Sequence, residues 1–114
     1  MAVYTKHILS GSSAGRMIKV AATATLGTTI HAQSGSTYDE LWLWAVNSDT
    51  TRRKLTVEFG GTSAPDDLIE VGIDPEDGLY LVVPGLILTS TSTVRAFAET
   101  ANVVMIAGYL NRIT

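Results

Sequence analysis

Histidine is the side chain most often recruited for acid–base chemistry and metal binding, and this sequence holds two, His7 and His31. Neither has a partner at a useful spacing. No His-x-x-x-His or Glu-x-x-His pair occurs, and the absence of cysteine excludes thiolate sites. A metal centre would need ligands converging from remote segments. Nucleophilic catalysis finds no Gly-x-Ser-x-Gly elbow, and with 15 Thr and 9 Ser any Ser/His/Asp triple is expected by chance. Gly60-Gly61-Thr62 lacks the Lys of a phosphate-binding loop and reads as a turn. Six acids crowd residues 66–77: Asp66, Asp67, Glu70, Asp74, Glu76 and Asp77. Asp74-Pro75-Glu76-Asp77-Gly78 has a faint likeness to a calcium loop. Pro at its second position and the lack of a following bidentate Glu make it a solvated acidic rim instead. The expectation is a non-enzymatic protein with no catalytic residues, no cofactor and no metal.

Binding is the chemistry that remains. Trp42 and Trp44 are two apart, so on a strand they share one face about 7 Å from each other. Such a pair can pack in a core, anchor a protein interface, where Trp is enriched, or stack a sugar. Tyr80 and Tyr109 lie in similarly apolar segments. Arg52 and Arg53, followed by Lys54, could pair with an acidic rim on a neighbouring subunit. These six residues, Trp42, Trp44, Tyr80, Tyr109, Arg52 and Arg53, are the candidate interface.

The elements that must position them are strands. Thr, Val and Ile recur in runs of four to nine residues bounded by Gly, Pro, Asp, Asn and Ser, the pattern of a sandwich or barrel. The expected strands are Thr5–Leu9 (an edge strand or arm), Arg16–Thr25, Thr28–Gln33, Glu40–Asn47, Arg53–Phe59, Ile69–Ile73, Leu79–Val83 continuing as Leu86–Leu88, Val94–Ala98 and Val103–Leu110. Alanines would also let residues 16–25 form a helix, but Val and Thr favour a strand. Glu40–Asn47 and Arg53–Phe59 read as a hairpin about the Asn47-Ser48-Asp49-Thr50 turn. Val94–Ala98 and Val103–Leu110 read as a final pair. Residues 1–15 form an N-terminal arm or edge strand with a flexible Ser/Gly loop, and 16–114 form the sandwich. The fold expected is an all-β, single-domain antiparallel β-sandwich of jelly-roll type with about eight strands.

A surface strand should alternate apolar and polar residues. Three do not. Leu41, Leu43 and Ala45 oppose Trp42, Trp44 and Val46; Leu79, Leu81 and Val83 oppose Tyr80 and Val82; Val103, Met105, Ala107 and Tyr109 oppose Val104, Ile106, Gly108 and Leu110. Composition agrees, with 46% hydrophobic and only 17% charged residues, where about 25% charge is usual. With no helices to cover a second apolar face, another copy or another protein is expected to meet it. A strongly curled sandwich burying both faces is the alternative. A net charge of −3 and pI near 5.2 argue against electrostatic nucleic-acid binding. The longest apolar run, Leu79–Leu88, is half a membrane span, and the N-terminus has no apolar leader segment, so neither membrane nor secretion is expected.

Several stretches carry a family resemblance: Leu9-Ser10-Gly11-Ser12, Gly15-Arg16-Met17-Ile18-Lys19-Val20-Ala21-Ala22, Asp39 to Asn47, Lys54 to Gly61, Val83-Pro84-Gly85-Leu86 and Gly108 to Thr114. Together they resemble small structural proteins of tailed-bacteriophage virions. The resemblance implies a virion component assembled in the host cytoplasm. For a β-sandwich of this length it implies a capsid cement (decoration) protein, commonly a homotrimer bound to the major capsid protein. A carbohydrate- or receptor-binding module, or a neck or tail ring component, is the alternative. The resemblance supplies no catalytic residues.

Overall fold

The computed structural model describes residues 2–114. Nine strands follow one another: β1 (Tyr4–Ile8), β2 (Ile18–Lys19), β3 (Thr28–Ala32), β4 (Tyr38–Asn47), β5 (Arg53–Phe59), β6 (Leu68–Ile73), β7 (Tyr80–Leu88), β8 (Thr93–Ala98) and β9 (Val104–Ile113). They make two antiparallel sheets. One has the order β1-β9-β4-β7 with β2 also on β9, and the other the order β3-β8-β5-β6.

The pairing is nested. β5 pairs with β6, β4 with β7, β3 with β8, and β1 and β2 with β9. Successive pairs belong alternately to the two sheets, and the roll is closed by the β4–β9 and β5–β8 ladders. This is the double-sheet jelly roll expected from the sequence. Nine strands fill its eight places because β1 and β2 lie end to end on β9, opposite residues 109–113 and 105–106 respectively. They are halves of one strand, split by the loop between them.

That nesting corrects two expected hairpins. β4 and β5 do not pair, because the Asn47 turn carries the chain from one sheet to the other. The Asn47 amide donates to the carbonyls of Thr51 and Ile73, both at 2.8 Å, and accepts the Asp49 N–H. β8 and β9 likewise lie in different sheets. The expected strand over residues 16–25 shrinks to Ile18–Lys19. Beyond it the backbone leaves the five-stranded sheet: Ala21 and Ala22 N–H both donate to Thr28 Oγ1, and the Ala22 carbonyl accepts from Ala98. The segment reaches the outer side of the four-stranded sheet, where buried Glu58 accepts from Thr25 Oγ1 and Gly27 N–H, both at 2.7 Å. Pro84-Gly85 does not end a strand; β7 runs through it with register shifts against β4.

Alternating residues of the facing sheets fill the core: Leu41, Leu43 and Ala45 of β4, Leu55 and Val57 of β5, Val94, Ala96 and Ala98 of β8. Leu9 enters it from the split in the first strand. The next two residues fasten that split to β3. Ser10 N–H donates to His31 Nδ1 at 3.0 Å, Ser10 Oγ accepts the Ala32 N–H, and Gly11 N–H donates to the Ile30 carbonyl. A Cβ on Gly11 would lie 2.5 Å from the Thr29 carbonyl oxygen, so only glycine permits this approach. Ser10 and Gly11, expected to flex with the rest of 10–15, are held on both sides.

One polar cluster crosses the core. His31 of β3 donates from Nε2 to Asp39 Oδ2 of β4 at 2.7 Å, and Arg112 of β9 grips both Asp39 oxygens at 2.9 and 3.2 Å. Because Nδ1 accepts from Ser10, the His31 proton resides on Nε2. Burial by itself would raise the Asp39 pKa. The hydrogen bonds of Arg112 and His31 and the charge of Arg112 outweigh it and hold the carboxyl below its ordinary 3.8. A depressed carboxyl stabilises the fold above its unfolded-state pKa and loses that contribution as pH falls through the folded value. Asp39→Asn should cost about 1.5–3 kcal/mol at pH 7, the range for hydrogen bonds to a charged group. In denaturant unfolding at pH 7 and pH 3, the variant should lose less stability on acidification than the native chain.

Candidate functional site

β9, β4 and β7, the three strands apolar on both faces, are consecutive neighbours in one sheet. Their inner residues enter the core, and their outer residues therefore merge into one surface. Register gives its plan. One rung runs Ile8, Tyr109, Trp42, Pro84; the next runs Ala107, Trp44, Leu81; on the other side lie Lys6, Asn111, Glu40, Ile87. Ile8, Leu81 and Ile87 are 52%, 43% and 47% exposed, so apolar area faces outward across the whole width of the sheet. The four-stranded sheet differs. Its outer side carries Lys54, Thr56, Glu58 and Glu70, with Lys54 paired to Glu70.

The aromatic rings form a row. Trp42 and Trp44 have centroids 6.3 Å apart with planes 22° from parallel, and Trp44 and Tyr109 are 6.1 Å apart at 26°. Lys6 Nζ stands 4.7 Å above the Tyr109 ring, a cation–π contact. The Trp42 indole N–H donates to Glu40 Oε1 at 2.9 Å, and the Asn111 amide donates to the same oxygen at 3.0 Å. These two bonds hold the Glu40 carboxyl below its ordinary pKa. The row is thus seated on polar partners that fix Trp42 while its ring stays at the surface.

Gly85 completes the seat. It adopts φ +79°, and a Cβ there would lie 2.9 Å from Trp42 Cζ2. The indole rests on the space that glycine leaves open.

Of the candidate residues, Trp42, Trp44 and Tyr109 come together here. Tyr80 pairs with Ala45, a core-facing position, and sits exposed at the open edge of β7 rather than in the aromatic row. Arg52 and Arg53 lie away from this face and are engaged within the chain. Arg52 pairs with Asp74 at 2.8 Å, and Arg53 with Asp49 at 2.6 Å and Glu99 at 3.9 Å. Residues the sequence reading passed over also belong: Ile8 and Lys6 from the first strand, Glu40, Asn111, Pro84 and Ile87. The two-residue step from Glu40 to Trp42 was the available signal for one of them.

A pocket of about 320 Å³ lies beside both ends of the chain, lined by Ala2, Ser36, Thr37, Tyr38, Ile113 and Thr114, none of them charged. Among the described residues no three His, Asp or Glu side chains are grouped as metal ligands.

No family model, curated protein or solved structure matches this chain.

Gly85→Ala tests the seat of Trp42. A left-handed backbone costs an alanine about 1–2 kcal/mol. Gly78, at φ +65° with open space around it, supplies the control. Gly78→Ala should show the backbone cost alone. Gly85→Ala should lose more stability in thermal unfolding and shift the tryptophan emission, because the indole is lifted from β7.

Proposed function

We propose that this protein is a non-enzymatic structural subunit of a tailed-bacteriophage virion, a capsid cement protein that stabilises the shell through its own apolar contacts. The observation that carries the proposal is the merged outer face of β9, β4 and β7. Large exposed apolar patches on small proteins mark contact surfaces. Aromatic anchors in such patches, above all Trp and Tyr, supply most of the binding energy. The jelly roll is an architecture shared by viral capsid proteins, which supports the assignment as an analogy of fold. The sequence resemblance points the same way and implies a homotrimer contacting the major capsid protein. A neck or tail ring component would use the same surface.

A second reading is favoured by one observation. Trp42, Trp44 and Tyr109 lie in a row beside Glu40 and Asn111, which could bond sugar hydroxyls, so the face could receive a glycan.

Two central substitutions separate the readings. Ala107→Glu places a charge opposite Trp44 without removing any contact, and Trp44→Ala removes the middle ring. If the face meets capsid protein, each variant should bind heads stripped of this protein at least about tenfold more weakly, a loss of ~1.4 kcal/mol. Circular dichroism should show the folded state retained. Unchanged affinity for heads would overturn the cement reading. Binding on a glycan array that Trp44→Ala abolishes would establish the second reading in its place.

A further inference from the structure

The five-stranded sheet has two open edges of opposite charge. The first 38 residues contain three cations, Lys6, Arg16 and Lys19, and no Asp or Glu. All three lie on or beside β1 and β2, the strands at one edge. Residues 55–94 contain seven acids and no Lys or Arg. Two of these acids, Glu76 and Asp77, sit in the exposed turn that leads into β7, the strand at the other edge. Several other acids and bases are paired within the chain, as in Arg52–Asp74 and Lys54–Glu70. Among the described residues, Lys6, Arg16, Lys19, Glu76 and Asp77 have no ion-pair partner.

The edges also match in direction and level. β1 and β2 run antiparallel to β9, β9 to β4, and β4 to β7, so β7 runs opposite to β1 and β2. A second copy set beside the first would therefore present its β7 antiparallel to β1. The same rungs cross both edges. Leu88, Ile87 and Leu86 of β7 stand level with Thr5, Lys6 and His7 of β1, and Tyr80 stands level with Ile18 of β2. The parallel bridge from Asn47 to Pro75 puts the acidic turn one rung from the level of Lys19. β7 carries no charge to repel a partner strand, and nine residues of edge backbone with no guarding charge invite pairing. Pro84 and the register shifts confine that pairing to two short stretches, on either side of Pro84-Gly85.

We infer that copies of this chain join head to tail, the β1/β2 edge of one lying antiparallel against the β7 edge of the next, with Arg16 and Lys19 facing Glu76 and Asp77. The inference rests on the reading of the protein as a structural subunit and names how its copies meet. Such a contact is heterologous: each copy uses one edge to give and the other to receive, and its repetition builds a ring where the rotation closes and an open filament where it does not. Across each junction the apolar rungs continue, with Ile8 and Tyr4 of one copy beside the β7 side chains of the next. The outer face then becomes a shared surface.

Paired charge reversals test this by sedimentation of the full-length chain. The native protein should form an oligomer that weakens as salt rises, because the facing charges are exposed. Arg16→Glu/Lys19→Glu should raise the dissociation constant at least tenfold, and Glu76→Lys/Asp77→Lys should do the same. Both pairs are exposed, so folding is retained. Mixing the two variants in equal amounts should restore association, at the least as mixed pairs, since each junction between unlike variants joins opposite charges. A native chain that stays monomeric at about 100 micromolar, reversed variants that assemble as well as the native chain, or a mixture in which the two variants do not associate at all would each overturn the inference. None of these outcomes touches the central substitutions Ala107→Glu and Trp44→Ala. Their effect on binding to stripped heads judges the cement reading separately.

Discussion

The Asp39 carboxylate is the point at which three parts of the molecule meet. It sits on β4, inside the sandwich, with His31 of the facing sheet on one oxygen and Arg112 of β9 across both. His31 in turn accepts the Ser10 N–H, so the split first strand is tied to the same centre. A buried ion pair adds little net stability by comparison with a well-packed apolar core, but removing one partner leaves the other stranded. Its value here is register. Sliding β4 by one residue against β9 would move Asp39 out of the core and place Trp42 and Trp44 inside it.

That fixed register makes the two faces of the five-stranded sheet unlike the two faces of its partner. The four-stranded sheet turns polar residues outward and covers part of them with residues 25–27, which Glu58 holds by two hydrogen bonds. The five-stranded sheet turns outward a row of rings and aliphatic side chains instead. The cost of keeping Trp42 at the surface is reduced locally by the bond to Glu40 and by the gap at Gly85. The ring is positioned by polar chemistry and displayed by the absence of a side chain beneath it.

Much of this was legible in the sequence. Period-two alternation located the longer strands within a few residues, and the doubly apolar character of residues 41–46, 79–83 and 103–110 singled out strands that turn out to be neighbours. What alternation does not encode is pairing. Asn47 to Asp49 looks like a hairpin turn, and its side-chain bonds are those of a turn, yet it joins strands of different sheets, because the Asn47 amide also reaches the Ile73 carbonyl from the far sheet. Residues 20–25 alternate as a strand does, but their backbone groups bond to Thr28 and Ala98 rather than to a ladder. Arg52 looks free on paper because Asp74 is remote in sequence, whereas Arg53 has its shortest partner, Asp49, only four residues away. The contributions of Ile8 and Lys6 to the aromatic face depend on β1 pairing with β9, a contact that no local pattern announces.

The nested pairing also sets the order in which the chain can acquire structure. β5 and β6 are joined by the eight-residue loop 60–67, the shortest loop that any of these ladders closes, and can zip as soon as both exist. Every further ladder closes a longer loop around them, and each closure costs more entropy before its contacts form. β1 stands at the outer end of this sequence, since Tyr4 awaits Ile113, more than a hundred residues later. During synthesis the first strand therefore waits without a partner until β9 emerges, an unpaired edge in a crowded cell. Its composition suits that wait. Tyr4-Thr5-Lys6-His7-Ile8 is short, carries a lysine at its centre and stays exposed even when folded. The segment that joins the sheet last thus carries, in its shortness and its central lysine, two features that slow indiscriminate pairing while it waits.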